Sequence, residues 1–167
     1  MFEIRIIRVS YYTGSMSQGA PKAQSYRRTV NRINTVITGL QRIGIAFGPM
    51  ELLTVTGRRS GRPRTFPIAV LPLAGRRYIV QAFPNAAWVA NVRAAGTVTL
   101  TRGRRASTVR LVEVPVEERR PLLREVVDTQ PASVAERYVT TGLAAAPTAD
   151  AVAAAAERIA VFRIETP

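Results

Sequence analysis

From Met50 onward apolar and polar side chains alternate with a period of two, the spacing of half-buried strands, whereas upstream they recur every three or four residues as on a helix. Leu53 and Val55 alternate with Thr54 and Thr56; Tyr78, Val80 and Ala82 with Ile79, Gln81 and Phe83; Val98 and Leu100 with Thr97, Thr99 and Thr101; Val109 and Leu111 with Thr108 and Arg110. With the apolar run at 66–71, these segments predict five antiparallel strands joined by turn signals at 57–63, Ala74-Gly75 and Arg102-Gly103. Residues 161–165 predict a sixth, closing strand with Phe162 and Ile164 on one face. Upstream, Val30, Ile33, Ile37, Leu40 and Ile43 share one stripe and predict a basic amphipathic helix starting at Tyr26, ended by Gly44, Gly48 and Pro49.

Between the third and fourth strands, residues 85–95 predict a short helix capped by Asn85 and bearing the only tryptophan, Trp88. Pro115 opens a run in which Val116, Leu122, Leu123, Val126 and Val127 interleave with Glu117, Glu118, Arg119 and Arg120, the pattern of a surface helix. Pro131 starts a further helix over 132–139, and an alanine-rich one is expected over 150–159. Six strands dominated by hairpins, with helices at the periphery, predict a mostly-β fold: a small antiparallel barrel whose C-terminal strand covers an exposed edge.

A length of 167 residues fits one domain, divided here into an N-terminal extension (1–25) and a single barrel domain with its leading helix (26–167). The apolar-basic alternation of residues 1–9 is followed by a polar run containing Met16, so either Met1 or Met16 serves as the start. Arg5 and Arg8 interrupt the opening apolar stretch and no small-residue cleavage site closes it, so no signal peptide is expected. No stretch reaches the roughly 18 apolar residues of a membrane span. The expected location is cytoplasmic. The helix from Tyr26 either docks on the core or lies against the inner face of an anionic membrane.

Charge narrows the chemistry. The chain carries 24 Lys+Arg against 11 Asp+Glu, a net charge of +13, and only Lys22 is lysine. Such a field attracts polyanions without choosing among them. Histidine and cysteine are both absent, which removes Ser-His-Asp and Cys-His nucleophile systems, disulfides, and zinc held by imidazole or thiolate. The acids are scattered, with no spacing for a carboxylate metal cage or a general acid/base pair, so any chemistry belongs to a bound cofactor. Specific nucleic-acid binding is not expected, because aromatic residues are 7% of the chain and form no stacking series.

The densest chemistry lies in residues 56–64, TGRRSGRPR, with four arginines, two glycines and a proline between two predicted strands. Guanidinium forks match phosphate and carboxylate oxygens, and glycines let backbone approach a ligand. The same composition also suits a solvated turn.

Residues 53–67, LTVTGRRSGRPRTFP, resemble the "LTTTGRKSGxPRxxP" motif of the deazaflavin-dependent nitroreductase and quinone reductase family, actinobacterial proteins of split β-barrel fold. Trp88, Asn91 and Val92 are similar to that family's later "WYxNL" run, and the resemblance extends over roughly 32–113. It implies a six-stranded antiparallel split β-barrel that binds coenzyme F420, an 8-hydroxy-5-deazaflavin with an acidic phospholactyl-polyglutamate tail. It further implies hydride transfer from reduced F420 to a small apolar acceptor of quinone, nitro or enone type. Carried over residue by residue, Arg58, Arg59 and Arg64 hold the tail, with Ser60 and Gly61 as hydroxyl or backbone donors. Pro67, Ile68 and Ala69 pass the ring; Ala82, Phe83 and Trp88 surround it; Tyr138 stands where some relatives place a substrate-side, catalytic tyrosine. Two departures matter: the loop 83–87 lacks the further lysine of many relatives, and Val89 replaces the tyrosine after Trp. Three other readings stand beside this one: the same barrel with FMN, a barrel that holds a lipid, fatty acid or other acidic ligand without turnover, and a homodimeric form of any of these.

Overall fold

The computed structural model describes residues 48–167, so the extension and the basic helix from Tyr26 lie outside the described residues. Strand β1 (Met50–Thr56) and strand β2 (Pro63–Ala69) form a hairpin in register from Met50 opposite Ala69 to Thr56 opposite Pro63. The apolar run at 66–71, expected to be one strand, divides at Val70, whose N–H donates to the Pro49 carbonyl at 2.9 Å. Beyond it, β3 (Leu71–Leu73) pairs with β4 (Arg76–Val80) across the Ala74-Gly75 turn. Helix α1 (Ala87–Ala94) follows, then the hairpin of β5 (Val98–Arg102) and β6 (Arg105–Glu113). Three helices, α2 (Val116–Thr129), α3 (Ala132–Thr140) and α4 (Ala149–Ala154), precede the closing strand β7 (Val161–Glu165).

The sheet has seven strands in the order β2-β1-β5-β6-β7-β4-β3, against the six expected. Its two edge strands, β2 and β3, are separated in sequence by Val70 alone. A sheet whose two edges are joined by one residue must curl until those edges meet, and this closes the split barrel. Pro63, Pro67 and Pro72 all sit on these edges, where a missing N–H costs no ladder bond and discourages pairing with another chain.

Two apolar cores result. Leu53, Val55, Ile68, Ile79, Val98, Leu100, Val109 and Phe162 fill the barrel with Val89 and Val92 of α1. Leu73, Tyr78, Leu123, Val126, Tyr138, Ile159 and Val161 form a second core between the helices and the outside of the barrel. β4 and β7 serve both, since Tyr78 and Val161 point outward while Ile79 and Phe162 point inward. Full burial of each such Leu, Ile or Phe contributes roughly 1.5–3 kcal/mol.

Three local expectations are corrected. Asn85 does not cap α1: it takes the left-handed region at φ 53°, and Ala86 precedes the helix with no side-chain cap. The alanine-rich helix spans only Ala149–Ala154, started by Thr148, whose hydroxyl accepts from Ala151 N–H; the chain then runs through turns to reach β7. Arg119 is not on the surface of α2 but buried, 7% exposed. No described helix is long and apolar enough to cross a membrane.

Candidate cofactor site

The TGRRSGRPR turn is built by its own backbone. The Gly57 carbonyl accepts from Ser60 N–H (3.1 Å) and Gly61 N–H (2.8 Å), and Gly57 N–H donates to the Arg62 carbonyl at 2.9 Å. The Ser60 hydroxyl oxygen accepts from Arg62 N–H at 3.3 Å. Glycine is required at position 57 because a Cβ there would stand 2.7 Å from the Ser60 hydroxyl and 3.3 Å from the Arg62 carbonyl. It is favoured at 61 by φ 63°. The knot leaves Arg58, Arg59, Arg62 and Arg64 exposed. Its backbone N–H groups at Ser60 and Gly61 are already spent inside the turn, so Ser60 offers only its hydroxyl proton outward.

The turn is tied to α1 by one long-range bond, from Arg58 N–H to Asn91 Oδ1 at 3.2 Å. Helix α1 is itself fixed by burial of Val89 and Val92 and by Trp88, whose ring lies 6.4 Å from Phe66 and 5.6 Å from Phe162 in tilted geometry. Asn91, in the second of the two resembling runs, thus positions the first.

Between the turn, the entry to α1 and the start of β7 lies a cavity of about 750 Å³. Arg58 and Arg59 line one side; Arg93, Arg119 and Arg158 line the others, and among the described residues Glu157 is the only carboxylate on its wall. Pro84, Ala86, Val89, Leu143 and Ala160 supply apolar wall. Gln81 pins the floor: its N–H donates to the Ala160 carbonyl at 2.9 Å, its Oε1 accepts from Ala160 N–H at 3.0 Å, and its Nε2 donates to the Phe83 carbonyl at 2.6 Å.

Two of the arginines are held by Glu113. Arg93 meets its carboxylate with two bonds, Nε to Oε2 at 2.7 Å and Nη2 to Oε1 at 2.6 Å, and Arg119 Nη2 reaches Oε1 at 3.0 Å. The rest of the Arg119 guanidinium serves backbone: Nε donates to the Val114 carbonyl at 2.7 Å, and Nη1 to those of Ala156 and Ile159, both at 3.3 Å. The Nη1 bonds satisfy carbonyls in the turns that follow α4, and the Nε bond one between β6 and α2. Hydrogen bonding to Arg93 is the main reason that the Glu113 carboxyl is held below its ordinary range, with the Arg93 and Arg119 charges adding to it against the opposing effect of burial. The same bonds raise Arg93.

Of the residues expected at the site, the structure brings Arg58 and Arg59 to the cavity, with Ser60 and Gly61 in the same turn. Ala82 and Phe83 are half-buried in the segment that leads to it. Arg64 lies on β2 opposite Val55 and does not line it. Pro67 and Ile68 are buried and Ala69 is half-buried: Ile68 packs in the barrel, Ala69 against the outer core, and Trp88 against the barrel's aromatic pair. Tyr138 is 2% exposed in the outer core, and burial pushes its phenol well above the usual range. Its contribution to the cavity is indirect: the Tyr138 carbonyl accepts from Leu143 N–H (2.8 Å) and Ala144 N–H (3.0 Å), which sets the loop bearing Gly142 and Leu143.

Gln81, Arg93, Arg119 and Arg158 were not expected. Arg93 lies two residues past Asn91 and was within reach of the second run; the others had no local signal. Among the described residues no group of acids could hold a metal ion.

The family model of the F420H(2)-dependent quinone reductases matches residues 22–144. A solved structure described as a domain-swapped dimer is 24% identical over 85% of this chain and 98% of its own, with a TM-score of 0.52, which shows a shared fold. A structure of an F420-H2 dependent reductase, FDR-A, is 26% identical over 70% of this chain and 94% of its own, with a TM-score of 0.48. No protein of curated function matches the sequence.

Proposed function

The chain belongs to the F420H(2)-dependent quinone reductase family, whose cofactor is coenzyme F420, and on that premise we propose that it passes a hydride from reduced F420 to a small apolar electrophile. Quinones head the acceptor class, with nitro and enone compounds beside them. The observation that carries the proposal is the 750 Å³ cavity, where Arg58, Arg59 and Arg158 stand beside one lining carboxylate, Glu157, while Arg93 and Arg119 are held by Glu113. Its size lies within the range of ligand sites, and its excess of guanidinium suits a flexible polyanionic tail. The residues present therefore fit the cofactor.

When bound, reduced F420 supplies the hydride. The chain's own residues bind and orient. Arg58 and Arg59 clamp acidic groups of the tail from the turn, and the Ser60 hydroxyl adds one neutral donor. Arg158, across the cavity, provides the cationic contact that the lysine-free loop 83–87 lacks. Pro84, Ala86, Val89 and Leu143 exclude water from a planar ring, and Asn91 holds the clamp at a constant distance from that wall. Tyr138 acts as a packing residue behind the loop at Gly142 and Leu143, not as a proton donor. A homodimer is retained as part of the proposal, and sedimentation velocity decides it.

Titration with oxidised F420, FMN and a fatty acid, followed through Trp88 fluorescence, tests the occupant; menadione-dependent oxidation of reduced F420 then tests turnover. F420 is expected to bind most tightly and menadione to be reduced. Tight FMN or fatty-acid binding with none of F420 overturns the proposal.

A further inference from the structure

The barrel has a second opening, at the end opposite the cofactor cavity. β1 leads at its C-terminal end to Arg58, but Glu51 stands at its start, with roughly 17 Å of strand between Glu51 and Thr56 at 3.3 Å per residue. A separate cavity of about 340 Å³ lies here, floored by Leu100 and Val109 of the barrel core.

Strand periodicity explains why its walls are charged. Glu51 precedes the inward-facing Leu53 by two residues, Arg77 precedes Ile79 by two, and Arg102 follows Leu100 by two. Across the β5–β6 hairpin, Arg105 pairs with Arg102 and Ser107 with Leu100. The inward row that is Leu, Val and Ile along the barrel thus changes at this mouth to three arginines, a glutamate and a serine. Of these only Glu51 is buried; Arg77, Arg102, Arg105 and Ser107 are exposed and open to a ligand from solvent.

The charges do not balance. Glu51 is 5% exposed and receives Arg77 Nη2 at 2.7 Å, whereas Arg102 approaches it only to 3.9 Å. Among the described residues Arg105 makes no ion pair. Residues 1–47 bring a single acid, Glu3. Two guanidinium groups directly opposite each other on β5 and β6 therefore line a common space, and the one acid near them, Glu51, is at 3.9 Å from Arg102 and already bound to Arg77.

We propose that this mouth is a second anion site, taking a phosphate or phosphomonoester group between Arg102 and Arg105, with Ser107 as a hydroxyl donor and Leu100 and Val109 against the apolar part of the ligand. Glu51 holds Arg77 aside and keeps the net charge of the mouth at two, which favours a small dianion over a longer polyanion. The site is independent of the cofactor reading, since none of these residues lines the F420 cavity.

The test is a calorimetric titration of the full chain with inorganic phosphate and with phenyl phosphate, first alone and then with oxidised F420 present. Arg102→Ala with Arg105→Ala is expected to weaken phosphate by about tenfold, the worth of one charge-assisted bond at a wet rim, while F420 affinity stays unchanged. Phenyl phosphate is expected to bind more tightly than phosphate, through the apolar floor. Arg58→Ala with Arg59→Ala is expected to leave this phosphate response in place. An Arg102, Arg105 variant that titrates like the parent overturns the proposal, as does a phosphate response that disappears only when F420 is added or when Arg58 and Arg59 are replaced.

Discussion

The arginines of the turn and the arginine buried at Arg119 bound the same cavity but are built in opposite ways. Arg58 and Arg59 stand on a knot of short-range backbone bonds within six residues, and their guanidinium groups are left to solvent and ligand. Arg119 has its guanidinium consumed by carbonyls at Val114, Ala156 and Ile159 and by Glu113, up to 40 residues away. The first kind contributes little to folding and is free to bind; the second holds the cavity's wall together and has little left to give a ligand. The lesson is that a count of arginines around a site says less than how many of their donors are already engaged.

That difference is sharpest under substitution. Arg119→Ala strands three carbonyls and leaves Glu113 to Arg93 alone, so a destabilisation of about 3 kcal/mol is expected in a denaturant melt. A drop under 1 kcal/mol would mean that the wall does not depend on it. Arg58→Ala with Arg59→Ala should behave the other way. Stability should change by no more than about 0.5 kcal/mol, as for exposed positions, while F420 affinity at low salt falls by about a hundredfold, two rim-screened contacts' worth. Loss of that effect in high salt would confirm its ionic origin. The smallest effect concerns acid. Because the carboxyl of Glu113 is lowered in the folded state, its contribution is present above the unfolded carboxyl range and is lost as pH falls through the folded value. Melting temperature measured from pH 7 downward should therefore fall less steeply in Glu113→Gln than in the parent, with the two curves converging at the acid end. Parallel curves would remove Glu113 from the acid limb.

Six of the seven strands, all but the short β3, together with the hairpin turns and the anion-seeking character of the residues from Thr56 to Arg64, were determined by local sequence. Period-two alternation, Gly and Pro punctuation and a dense arginine turn are short-range properties, and so they survive reading one residue at a time. Even the helix carrying Trp88 was visible, although its cap was not, because an Asn before a helix serves equally well as a cap or as a left-handed turn residue. Neighbouring charges misled at Arg119: Glu117 and Glu118 on one side and Arg120 on the other have the look of solvent, and only the meeting of α2 with the turns after α4 shows which of the four points inward.

Tertiary structure alone decided three things. It divided the 66–71 run at Val70, because a sheet that closes on itself needs its two edges joined by a bend. It sent Tyr138 to the outer core and Arg93, Arg119 and Arg158 to the cavity, through contacts between segments tens of residues apart. And it turned one face of the barrel strands from apolar to charged at the Glu51 end, where the inward positions run past the core. Alternation tells which residues share a face; only closure of the barrel tells where that face stops being interior.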